Sequence, residues 1–252
     1  PVALNKSIGV PYRLDRFAGE EGRLRRAAIS MAIDRPAIID RLFAGSKLPA
    51  TGFAVRTLPG GDRDLAGAEV LSHQPDRARA MWRQAEEIHP WQGRFGIAYN
   101  ADGGHRPWIE MLTGQLSRVL GIEAGGDPLP TFKDLRQRLS GGAGTAFRTG
   151  WRGDYPSVIG WLEPLFAHGA SANEVGYHSP DFEQALDQAR RAADQPTADR
   201  LADRAQQILL ADLPMIPLWD FINAGGLAPG VQARFKWNGL PDYQTIRKQA
   251  AS

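Results

Sequence analysis

The 252 residues combine 42% hydrophobic content, 28 Gly, 18 Pro and no Cys with a formal charge of +2. The 7 Trp, 10 Phe and 5 Tyr supply enough core material to exclude disorder, and charges, Gly or Pro interrupt every apolar run, which excludes a membrane-spanning helix. Without cysteine there is no disulfide framework, thiolate metal site or cysteine nucleophile, and a charge near zero provides no global field for nucleic acid or an anionic membrane.

The chain opens Pro-Val-Ala, with neither an initiator Met nor a charged-then-apolar leader, and is expected to be a piece of a longer protein. From Gly22 to Phe43 the pattern is helical, with Leu24, Ala27, Ala28 and Met31 at three- and four-residue spacing. Arg23, Arg25 and Arg26 read as a solvated face whose aliphatic stems lie over apolar surface. Asp34 and Pro36 restart the helix as N-cap and first-turn proline, and Gly45 stops it. Residues 46–75 read as irregular loop. Asp76 caps a helix to Ile88 with Ala78, Met81, Trp82 and Ala85 on one face.

Alternation follows. Residues 95–99 form a short strand and Pro107–Leu120 a helix that ends at Gly121. Ile122 begins a second strand, Thr131 caps a helix to Leu139, and Gly144–Trp151 is a third strand. Strands alternating with helices of this length predict an α/β layer structure. Two more helices run over 181–193 and 197–211. The segment from Leu213 to Trp219 reads as an edge or crossover, because two prolines exclude a central strand. The tail from Phe221 lacks a pattern that would let it fold alone.

No metal-ligand spacing, nucleophile elbow or phosphate loop is present. His73, His89, His105, His168 and His178 all read as exposed structural residues. The dense segment is Phe147 to Ser157, where a strand runs into a turn carrying Trp151, Asp154 and Tyr155 with Gly150 and Gly153. One acid beside aromatic faces suits a cationic amine. The same spacing allows Asp154 to cap the turn or the next helix with Trp151 in the core. No second acid is close in sequence, so no acid/base pair is indicated; only Glu163 is available from further along.

Several segments resemble family 5 solute-binding proteins, the peptide-binding components of ABC importers. They are the run Arg23 to Arg35, Gly45–Gly52, Asp76–Ile88, Tyr99-Asn100 with Trp108 and Leu120–Ile122, Gly150–Pro156, Asn173 with Tyr177 and Asp181-Phe182, Pro214–Pro217, and Gly239–Ile246. The resemblance implies a periplasmic-binding-protein-like (type II) α/β lobe, a mixed sheet flanked by helices, from the second half of a two-lobed protein. Residues 1–219 would be that second lobe and 220–252 a tail returning to the first. It implies extracytoplasmic (periplasmic) solute capture, most simply of peptides, by a monomer that delivers to an ABC permease, with no catalysis, cofactor or metal. A nickel chelate, an opine or an oligosaccharide is the alternative solute within the fold. A carboxylate-dependent hydrolase using Asp154 and Glu163 is the rival outside it. By resemblance Asp154 would accept a ligand ammonium beside Trp151, with Tyr155, Tyr99, Asn100 and Arg148 around the ligand. In the dipeptide-binding type an arginine two residues before the Tyr-Asn pair holds the ligand carboxylate. Ile97 stands there in this chain, leaving Arg148 or Arg106 to replace it.

Overall fold

The computed structural model describes residues 2–142, 144–222 and 227–248. Its centre is a mixed six-stranded sheet in the order β2-β6-β1-β5-β3-β4, built from β1 (Asn5–Gly9), β2 (Lys47–Pro49), β3 (Arg94–Asn100), β4 (Glu123–Leu129), β5 (Ala146–Thr149) and β6 (Met215–Phe221). Strands β3, β4 and β5 are parallel, whereas β1 runs antiparallel to both β5 and β6.

The helices are α1 (Gly19–Ala32), α2 (Arg35–Phe43), α3 (Pro75–Ile88), α4 (Arg106–Leu120), α5 (Phe132–Ser140), α6 (Val158–Phe166), α7 (Pro180–Arg190) and α8 (Gln195–Asp212). Local chemistry sets several of their ends. Asp34 accepts from Ala37 N at the start of α2, and Thr131 and Asp134 form a reciprocal capping box on α5. Gly121 closes α4 at φ 71°, a left-handed position that glycine adopts without steric cost. Asp76 is not the cap expected for α3; it sits in the first turn, after Gln74 and Pro75. The supposed loop 46–75 holds the three-residue strand β2 and a 3₁₀ turn at Ala68–Leu71.

Two expectations fail for instructive reasons. The segment expected at an edge supplies a central strand: β6 begins just after Pro214, contains Pro217 and lies between β2 and β1. Pro217 falls opposite Ser7, where the β1–β6 register shifts between Lys6 and Ser7. A bulge is a place where a missing ladder donor is tolerated. Its carbonyl accepts from Arg35 Nε at 2.8 Å.

The basic group on α1 is not a solvated face either: Arg23 is exposed, but Arg25 and Arg26 are buried. The Arg25 guanidinium lies 4.6 Å from the Trp82 ring centroid and 5.2 Å from that of Trp91, and it pairs with Glu21 and Glu86, each at 2.9 Å. This ties α1 to α3. Burial alone would raise the Glu21 carboxyl, but hydrogen bonds and charge from His89 and Arg25 outweigh it and hold it below its ordinary value. Arg26 lies 4.2 Å from the Tyr12 ring centroid and donates to the carbonyls of Asp212 and Phe17.

Asp220, near the end of β6, is buried opposite Asn5 and accepts from Arg56 N at 3.2 Å. Burial pushes its carboxyl up from 3.8 to about 7, against the lowering effect of Arg56. Between those values the folded state holds a proton that the unfolded chain has lost, so stability falls as pH rises from about 4 to about 7. Asp220→Asn removes the titration and keeps an acceptor for Arg56 N. In urea titrations the variant is expected to match the wild type at pH 4 and to exceed it at pH 8 by about 2–4 kcal/mol. Parallel curves would show that Asp220 ionises freely in the fold.

Outside the main sheet, β7 (Val231–Phe235) and β8 (Pro241–Lys248) form a separate antiparallel pair. Phe235, Leu240, Tyr243 and Ile246 on it are exposed.

Candidate functional site

The segment from Gly150 to Ser157 is shaped by the chain's first strand. Asn5 grips Trp151 from both sides: its N donates to the Trp151 carbonyl and its Oδ1 accepts from Trp151 N, each at 3.0 Å. Leu4 bridges Arg152, and Gly153 N donates to the Ala3 carbonyl. The close approach dictates the glycines. A Cβ on Gly150 would stand 2.6 Å from the Asn5 carbonyl oxygen, and one on Gly153 would stand 3.1 Å from the Trp161 ring and 3.3 Å from Trp237.

This frame leaves Asp154 exposed, with no hydrogen bond or ion pair among the described residues. It does not cap α6. Ser157 holds that position, and its Oγ accepts from Gly160 N. Tyr155 is exposed and its ring lies over Gly160, so close that a Cβ there would meet it at 2.1 Å. Trp151 is half-buried against the core, and its indole N–H is buried without a hydrogen-bond partner among the described residues. Glu163 does not join Asp154: Arg190 on α7 engages its carboxylate at 2.5 Å.

A second group gathers where β2, β6, β1, β5 and β3 end side by side. Asn100 is buried; its Oδ1 accepts from Arg148 Nε at 2.7 Å and from Arg148 Nη2, and its Nδ2 donates to Asp102. The Arg148 guanidinium lies 4.9 Å from the ring centroid of Phe132, which is 50% exposed. Burial lowers Arg148 from its ordinary value, opposed by Asp102. Tyr99 is buried behind them on β3, against Gly126. Ile97 is fully buried, so that position offers no charge, and Arg106 is paired with Glu110 at 2.6 Å. Of the two candidate replacements, Arg148 is the one that no carboxylate among the described residues engages.

Three members of this group carry no motif. Lys6 on β1 sits with Nζ 3.3 Å from where a Gly150 Cβ would be, and burial, Arg148 and Lys47 push it down from 10.5 to about 8. Lys47 on β2 has Nζ 4.1 Å from the Phe221 ring centroid, and burial lowers it too. His105 is half-buried, unlike the other four histidines, which are exposed as expected. Burial, reinforced by Arg148 and Lys6, pushes it down to about 4, so it is neutral at physiological pH. Its Nδ1 accepts from the Trp108 indole at 3.3 Å, which leaves the proton on Nε2. No sequence pattern marks them, although two of the five lysines in the chain stand in this group.

Among the described residues no group of three or more His, Cys, Asp or Glu is placed to hold a metal ion, and no helix is long and apolar enough to cross a membrane. The arrangement presents the Asp154 carboxylate on a turn and, across the end of the sheet, cations without ion pairs among the described residues together with neutral donors. It is suited to holding a solute by both signs of charge.

Known proteins share the family signature and the fold of this chain. Residues 23–173 match the family described as bacterial extracellular solute-binding proteins, family 5 middle. The dipeptide-binding protein DppE of Bacillus subtilis is 24% identical over 205 residues, covering 77% of this chain and 36% of that protein. The murein tripeptide-binding protein MppA of Escherichia coli superposes with a TM-score of 0.83 at 18% identity, over all of this chain and 49% of that one. The chain thus spans half or less of these relatives. A shorter solved structure, the peptide-binding protein of a peptide ABC transporter, superposes with a TM-score of 0.72 at 20% identity, over 86% of this chain and 98% of that one. The fold is therefore the periplasmic-binding-protein-like α/β arrangement expected above, a mixed sheet flanked by helices. With more than half of its length matched, the chain belongs to family 5 of the bacterial extracellular solute-binding proteins.

Proposed function

We propose that this chain is the second of two lobes that close on a short peptide outside the cytoplasm and deliver it to an ABC import permease. Residues 1–219 form the lobe, and 220–252 are the tail that returns to the first lobe. The observation that carries this reading is Asp154: an acid on a turn hydrogen-bonded to the first strand, exposed, without a partner among the described residues and not used as a helix cap. A ligand ammonium supplies the missing charge, and Trp151 and Tyr155 border it. Arg148, oriented by Asn100 and stacked on Phe132, receives the peptide's carboxylate in place of the absent arginine at Ile97. Both contacts address groups common to all peptides, so side chains are left free to vary.

Closing the second lobe over the ligand excludes water and strengthens both ionic contacts. No bond is made or broken, and the protein acts as a monomer without a cofactor. Mass spectrometry of small molecules released on denaturing the intact protein tests the reading. Peptides of a few residues are expected; a metal chelate, opine or sugar in their place would overturn it.

A further inference from the structure

The cations at the end of the sheet outnumber what a single peptide carboxylate neutralises. The strand order places Lys47 on β2, Lys6 on β1 and Arg148 on β5 at the same end, with Asn100 closing the row on β3. None of the three cations has an ion pair among the described residues. Asp102 is the one acid whose charge is felt by Arg148 and His105, and its carboxylate is already occupied by Asn100. Three positive groups and Asp102 leave 3 − 1 = +2 in this row; Asp220, near the end of β6, is set beside Arg56 instead, with its carboxyl pushed up to about 7. A ligand with one carboxylate leaves +1 there in a partly buried setting, where like charges repel more strongly than in water. Burial, and then the charges of Arg148 and Lys47, push the Lys6 ammonium down to about 8.

We infer that this row receives a doubly negative ligand end, a peptide whose C-terminal residue carries a second carboxylate. The inference deepens the peptide reading and rests on it. Arg148 takes the main-chain carboxylate, and Lys6, with Lys47 behind it, takes the side-chain one. Neutral His105 adds an Nε2–H donor without adding charge. Lys6 and Lys47 thereby become specificity-determining residues at positions that no motif marks.

Calorimetric titration of the intact two-lobed protein with Ala-Ala-Glu and Ala-Ala-Gln isolates the second charge, because the two peptides share size and shape. Ala-Ala-Glu is expected to bind at least about tenfold more tightly, a difference of about 1.4 kcal/mol. Lys6→Met is expected to reduce that ratio to below about threefold, and Lys47→Met to lower it by a smaller amount. The wild-type comparison stands even if a variant fails to fold. Equal affinities, or tighter binding of Ala-Ala-Gln, would overturn the inference and leave the peptide reading intact. A tenfold ratio that survives both substitutions would also overturn it, since the preference would then arise elsewhere. Failure of folded wild type to bind either peptide would overturn this inference and the peptide reading together.

Discussion

Asp154→Asn in the intact protein is expected to weaken peptide binding roughly 30-fold or more, because truncating one member of a buried charged pair costs about 2–5 kcal/mol. In the closed protein the ligand ammonium stays buried opposite an amide that carries no charge. Stability should hardly move. The carboxylate has no partner within the described residues, and exposed side chains without such features change stability by less than about 0.5 kcal/mol. Ser157→Ala provides the opposite pattern. It removes the cap of α6, and is expected to lower stability by about 1 kcal/mol while leaving the charge at the site unchanged. Calorimetry and urea melts on the two variants separate the roles. An Asp154→Asn protein that binds normally but melts early would return Asp154 to a structural role.

Arg35→Met is expected to have the largest effect on stability, about 3–5 kcal/mol. Arg35 is fully buried, and burial pushes its guanidinium down to about 9. Among the described residues it has no carboxylate partner; it donates to the carbonyls of Ser30, Ile33, Leu71 and Pro217 and to the Ser30 hydroxyl. One side chain thus joins the end of α1, the 3₁₀ turn before α3 and the bulge of β6. Met fills much of the volume but satisfies none of those acceptors, and each buried acceptor left unmade costs about 1–3 kcal/mol. The effect falls below a simple sum because the charge itself was costly to bury. A melting temperature lower by about 10 °C would match that loss in a chain of this size. A loss below about 1 kcal/mol would mean that water reaches the freed carbonyls.

What could be read from the sequence divides along the distance over which each feature is decided. Helices α4 and α5 were legible because Pro107, Gly121 and Thr131 act within one turn of where they stand. Strand β1 was not read at all, since five residues with three polar members in a row carry no period until β5 and β6 pair on either side. The central place of β6 was hidden for the same reason: its proline is tolerated only through a bulge formed with residues more than 200 positions away. Arg25 and Arg26 looked like surface because their partners, Trp82, Trp91, Tyr12 and Asp212, lie on other elements.

The same division runs through the site. The turn around Asp154 is contiguous and was visible as a motif, whereas the row of Lys6, Lys47, His105 and Arg148 exists only once four strands are aligned. Asn173 and Tyr177 carry part of the resemblance without being assigned to the site. In the structure they are braces: Asn173 bonds the main chain of Tyr177 in both directions, and Tyr177 donates to Asp212 at 2.7 Å.

The central claim is that a peptide lies between Asp154 and the cation row, with its ammonium at the former and its carboxylate at the latter. Titrating the intact protein with one tripeptide as its free, N-acetylated and C-amidated forms tests that claim most directly, because each modification removes one charge and nearly preserves shape. The account predicts that acetylation weakens binding roughly 30-fold or more and that amidation weakens it by about tenfold or more. Binding of the acetylated peptide with the affinity of the free one would contradict it.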